Sequence, residues 1–127
     1  MKFGYTIIYV DDVAATLDFY QLAFGFKRKM LHESGGYGEL QTGETTLAFA
    51  AIATLDMIGV HPRAADINAP SFEVAFTTEN VAGAVEMALA AGALLVSAPA
   101  KMPWGQTVAY VSDNNGSLVE LCTPIQP

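Results

Sequence analysis

The 127-residue chain has few of the residues that cross-linked or metal-rich folds require: one cysteine, Cys122, and two histidines, His32 and His61. A lone thiol excludes an internal disulfide framework and a multi-cysteine zinc site, and it fits the reducing cytoplasm in which we expect the protein to work. Basic residues are scarce as well, six Lys and Arg against thirteen Asp and Glu, for a formal charge of −7. Such a chain repels phosphate backbones and anionic lipid surfaces, so neither nucleic acid nor membrane is an expected partner. The one basic cluster, Lys27, Arg28 and Lys29, reads as a solvated strand edge where lysine discourages edge-to-edge pairing. Long apolar runs are missing too. Asp11 and Asp12 interrupt the run Ile7 to Val10 before it can act as a signal-peptide core or a membrane span.

What the chain does contain is core material, 52% hydrophobic residues in a length suited to one domain. Phe3 to Val10 is rich in β-branched and aromatic residues and ends at Asp11-Asp12, which favour a helix start. Val13, Leu17, Tyr20 and Phe24 recur at helical spacing, and Gly25 stands where a left-handed cap is wanted. Phe26 to His32 is then extended, Gly35-Gly36 turns, Tyr37 to Gln41 alternates, Thr42-Gly43 turns again, and Thr45 to Ala53 is a further strand. The first module, about residues 1–53, therefore reads βαβββ.

Residues 54–70, with Pro62, Pro70 and no sustained period, read as a linker. The pattern then restarts in a second module, about residues 71–127. Phe72 to Thr77 alternates, Glu79-Asn80 opens a helix to Ala91, Gly92 closes it, and Leu94 to Val96 begins a strand. Pro99 and Pro103 fall in a loop, Thr107 to Val111 is a strand, Asn114-Asn115-Gly116 is a hairpin turn, and Leu118 to Thr123 is the last strand. A shift of 68 residues lays Asp12 on Asn80, Val13 on Val81, Leu17 on Val85 and Asp18 on Glu86, an internal repeat by chemical type. The expected architecture is a single α+β domain of two tandem βαβββ modules forming a curved mixed sheet that lines a cleft. A ferredoxin-like βαββαβ domain is the alternative, and it leaves two strands unplaced.

A period of two assigns the faces. Phe72, Val74 and Phe76 pack under a helix, which leaves Glu73 on the opposite face; Val119 and Leu121 likewise place Glu120 and Cys122 opposite the helix. By the repeat, Tyr5 is the counterpart of Glu73, and Ala48 that of Glu120. Two carboxylates on one face call for a function as an acid/base pair, metal ligands or an anchor for a cationic group; the bland alternative is hydrogen bonding to neighbours or water. Close together, mutual repulsion raises one pKa and leaves an acid beside a base, which suits proton abstraction next to a carbonyl. Glu39, alternating with Tyr37 and Gln41, is either a third polar group of the site or part of a solvated face, and Tyr5 and Tyr9 line either a pocket or a dimer seam. Cys122 reads as a small buried hydrophobe, and His32 and His61 as structural or solvent-facing.

The chain resembles the vicinal oxygen chelate superfamily, which includes glyoxalase I, bleomycin-resistance proteins, fosfomycin-resistance enzymes and extradiol dioxygenases. The likeness rests on Phe19-Tyr20 with Phe24-Gly25-Phe26, on Ala91-Gly92, and on the closing run Asp113 to Leu121, similar to an Asp-Pro-x-Gly-x-x-x-Glu ending with Asn114 in place of proline. It implies a homodimer and a small organic ligand held in the cleft. It also implies a divalent metal at positions matched by Tyr5, Ala48, Glu73 and Glu120, of which only Glu73 and Glu120 ligate in the usual way. Pro103-Trp104-Gly105-Gln106 is similar to a stretch at the cleft mouth in one glyoxalase-like branch. There Trp104 stacks on a ligand and Gln106 hydrogen-bonds it, the alternative for Trp104 being core packing. Two functions follow from the resemblance: a glyoxalase-type lyase or isomerase acting on a small carbonyl compound through Glu73 and Glu120, or a drug-sequestering binder of a cationic or aromatic molecule.

Overall fold

A computed structural model describes residues 1–126. The chain divides into two compact units, Met1–Ala65 and Asp66–Pro127, and the division falls inside the segment read as a linker. The first unit runs β1 (Tyr5–Val10), α1 (Val13–Phe24), β2 (Arg28–Leu31), β3 (Tyr37–Leu40), β4 (Thr46–Ala51) and α2 (Ile52–Met57). The second runs β5 (Glu73–Thr77), α3 (Val81–Ala90), β6 (Leu94–Lys101), β7 (Thr107–Ser112) and β8 (Leu118–Cys122). Among the described residues each unit holds one four-stranded mixed sheet, in the orders β1-β4-β3-β2 and β5-β8-β7-β6. The outer pairs β1–β4 and β5–β8 are parallel, and the remaining pairs are antiparallel. The two βαβββ repeats are thus present and share one topology.

Local chemistry sets the helix limits. The Asp12 side chain accepts the Ala15 amide at 3.0 Å, and Asn80 does the same for Gly83 at 3.0 Å, so both helices begin on a side-chain cap. Gly25, at φ 78°, ends α1 in the left-handed region. After α3 the Gly92 amide bonds Leu89 and the Ala93 amide bonds Ala88, the double bond pattern of a Schellman ending that a left-handed residue makes possible.

In the first unit α1 buries Val13, Leu17 and Tyr20 against the sheet, and the Tyr20 ring lies 4.9 Å from that of Phe49. Gly38 on β3 permits this approach: a Cβ there would come within 2.7 Å of Leu17 Cδ1 and 3.1 Å of Val13 Cγ1. In the second unit Val81, Val85 and Ala88 of α3 are buried, as are Ala109, Val111, Val119 and Leu121 of the sheet. The faces away from the helices carry the candidate site residues.

Two elements differ from the sequence reading. The strand read as Thr45 to Ala53 ends at Ala51, and Ile52 and Ala53 join the start of the linker in helix α2, six residues without a side-chain cap and too short to show a period. Pro99 lies within β6, not in a loop. It is tolerated because β6 is an edge strand paired only with β7, and its register slips between Ser97 and Ala100.

Candidate functional site

The closing turn fixes the geometry of the site. Asp113 is buried, and its Oδ1 accepts the amides of Asn115 and Ser117, both at 2.8 Å, while its own amide bonds the Ser117 carbonyl. This closed turn sets the register of β7 on β8 and pairs Tyr110 with Glu120. The parallel partner β5 sets Ala75 beside Glu120 and Glu73 beside Leu118, so Glu73 is one step diagonal from Glu120 on the same face.

The two carboxyl groups meet there. The Tyr110 hydroxyl donates to Glu120 Oε1 at 2.8 Å and stands 3.4 Å from Glu73 Oε1. Glu73 is exposed, whereas Tyr110 and Glu120 are half-buried. Desolvation raises Glu73 above the usual carboxylate range, and a hydrogen bond to Glu120 and the charge of Glu120 add to the rise. Burial also works to raise Glu120, but hydrogen bonds from Cys122, Tyr110 and Glu73 outweigh it and leave the group below its ordinary value. The two neighbouring carboxyls are therefore driven apart in acidity, Glu73 upward and Glu120 downward. The Tyr110 phenol is held well above its ordinary range, first by its bond to Glu120 and then by burial, so it remains a donor.

Cys122 follows on the same face of β8. Burial, with help from Glu120, pushes its thiol up to about 11, so at neutral pH it is a protonated donor and not a nucleophile. At the far end of the face, Met102 and Gln106 close a three-residue turn, Pro103-Trp104-Gly105, with Gly105 at φ 103°. Trp104 is not core: it is 66% exposed, and its indole N–H donates to Gln106 Oε1 at 2.7 Å. Gln106 in turn donates to the Thr123 carbonyl at 2.7 Å, which fixes the ring's anchor point on the end of β8.

The remaining candidates belong to the first unit. Tyr5 and Tyr9 share the face of β1 away from α1, with Tyr5 57% exposed and Tyr9 half-buried. Register puts Ile7, Ala48 and Glu39 in one row across β1, β4 and β3, matching Ala75, Glu120 and Tyr110 in the second unit. Ala48 thus stands at the position of Glu120, and Glu39 at that of Tyr110. Glu39 is not a solvated residue. Its side chain is 13% exposed, accepts the Tyr37 hydroxyl at 2.6 Å on Oε2, and pairs with Lys29 at 3.6 Å on Oε1. A bulge in β2 between Arg28 and Met30 accompanies that pairing.

The histidines have partners of their own elsewhere: His32 bonds Ser34 in the β2–β3 turn, and His61 pairs with Asp56 at the surface. Tyr110 is the member of this cluster that sequence reasoning missed. The signal was available, because a turn closed by Asp113 and Ser117 pairs residue 110 with residue 120.

The donor set does not fit a nickel, zinc or iron centre. Among the described residues no group of three or more His, Cys, Asp and Glu is placed to hold a metal, and in the second unit the Tyr110 hydroxyl already occupies a lone pair of Glu120.

The comparisons with known proteins agree with this fold. The family model of the Glyoxalase/Bleomycin resistance protein/Dioxygenase superfamily matches residues 2–121, and the chain belongs to that superfamily. A glyoxalase-related enzyme from Fulvimarina pelagi is similar in structure, with TM-score 0.84 and 21% identity over 98% of this chain and 88% of that one. A glyoxalase/bleomycin resistance protein/dioxygenase family enzyme from Burkholderia phytofirmans PsJN gives TM-score 0.83 and 24% identity over 99% of this chain and 100% of that one. TioX from Micromonospora sp. ML1 gives TM-score 0.73 and 19% identity over 97% and 98% of the two chains. A search of the curated proteins returns no match. No helix among the described residues is long and apolar enough to cross a membrane.

Proposed function

We propose that the chain binds a small carbonyl compound against the second unit's open sheet face and moves a proton at the carbon next to the carbonyl, as a metal-independent isomerase or lyase. The observation that supports this most is the Tyr110 hydroxyl within 2.8 Å of Glu120 and 3.4 Å of Glu73, which puts two carboxyl groups within reach of one small substrate. Glu120, the member held below its ordinary value, acts as the base that takes the proton from carbon. Glu73, the member whose carboxyl is raised and which is open to solvent, acts as the acid that protonates the carbonyl oxygen, giving an enol that collapses by the reverse transfers.

The test is exchange of substrate C–H for deuterium in D2O, followed by NMR over a panel of small aldehydes and ketones, with a chelator present. Wild-type protein should exchange at least one compound, and Glu120→Gln should slow that exchange by roughly 100-fold or more. No exchange with any compound would remove the reading.

A second reading is favoured by Trp104: its exposed, anchored ring suits stacking on a flat or cationic guest that is held and not transformed. Saturable binding of such a guest, weakened in Trp104→Ala and without chemical change, would establish it. In either reading we expect a homodimer, consistent with apolar side chains that the single chain leaves exposed, Ile7 on β1 and Leu94 and Leu95 on β6. Sedimentation equilibrium should give twice the chain mass, and a monomer would end that expectation.

A further inference from the structure

We propose that Tyr110 disfavours a divalent cation at Glu73 and Glu120 by setting its hydroxyl against both carboxyl groups. The proposal rests on the same Glu73–Tyr110–Glu120 geometry as the proton-transfer reading. Glu120 offers a carboxylate on a face where a cation with water could in principle use it, and Glu73 lies one diagonal step away. A hard cation needs lone pairs of both carboxylates turned toward it. The Tyr110 hydroxyl already donates to Glu120 Oε1 at 2.8 Å, and its oxygen stands 3.4 Å from Glu73 Oε1, so the same phenol stands against both groups.

A phenol proton costs no dehydration of an ion and is supplied by the chain itself. A metal must displace that donor and shed part of its own hydration, all for two protein ligands. The repeat shows that the position is open to other choices: the first unit carries Glu39 at the position of Tyr110 and Ala48 at that of Glu120. The identity of this one residue on β7 is therefore free to set what the face binds.

The experiment uses full-length protein and Mn2+, Ni2+ and Zn2+ in equilibrium dialysis at neutral pH, with wild type, Tyr110→Phe and Tyr110→Phe/Glu120→Gln. Wild type should hold no stoichiometric ion. Tyr110→Phe should bind at least one of the ions tenfold or more tightly than wild type, and the double variant should lose that gain. One ion per wild-type chain, lost in Glu120→Gln, would overturn the proposal, as would a folded Tyr110→Phe that binds no better than wild type. Wild-type protein gives a second reading that needs no variant. Mn2+ should leave the amide resonances of Glu73, Tyr110 and Glu120 no more broadened than those of other acidic residues, and selective broadening would overturn the proposal. Failure here is distinct from failure of the proton-transfer reading: a metal-free protein that exchanges no substrate proton defeats only the latter.

Discussion

Two glutamates on neighbouring strands behave differently because their neighbours differ. Glu73 is raised by desolvation and by Glu120, so the stability linked to it is fully present below the ordinary carboxylate value of 4.5 and is lost as pH rises through its own higher value. Glu120 is lowered, so its contribution is present above 4.5 and is lost as pH falls through its depressed value. Glu73→Gln, which stays neutral, should therefore lose less stability than wild type between about pH 4 and pH 7. Glu120→Gln should lose stability most clearly near neutral pH. Thermal midpoints across that range check both signs, and parallel pH curves for Glu73→Gln and wild type would show that the two carboxyls do not interact. The sequence placed both carboxylates on one face by counting in twos, but their separation depends on strand register and was not legible there. Nor could it tell that Glu39 would be partnered, because Lys29 reaches it across a bulge that no residue in Lys27 to Met30 announces.

At the scale of elements, side-chain caps and left-handed glycines carried most of the legible information. Asp12, Gly25, Asn80 and Gly92 mark their helix ends where chemistry requires them. The misread elements are those with weak local signals: a six-residue helix, and an edge strand that accepts a proline. Gly38 shows a demand that the sequence conceals. Its lack of a side chain is imposed by α1 and not by a turn, since its added Cβ would press on Leu17 and Val13. Gly38→Ala should destabilise the protein by about 1–3 kcal/mol, the usual cost of overpacking. Gly4→Ala, where a Cβ meets nothing within 4 Å, is the control and should stay within about 0.5 kcal/mol of wild type in urea unfolding.

Across the whole molecule, one βαβββ plan is used twice with different chemistry on the face away from the helix. The first copy commits its carboxylate to a tyrosine and a lysine; the second sets a tyrosine between two carboxylates. The repeat was readable from its turn residues and helix starts, whereas the division of labour between copies required the paired registers. The Pro103-Trp104-Gly105 turn also makes the molecule report on its own parts. Its indole is the only one in the chain, so tryptophan emission, excited beyond the tyrosine absorption band, reports from the second repeat, while far-ultraviolet circular dichroism follows both. In Gly38→Ala, whose fault lies wholly in the first repeat, an emission transition that moves with the dichroism means the repeats unfold as one cooperative body. An emission transition that stays in place means that each copy carries its own stability.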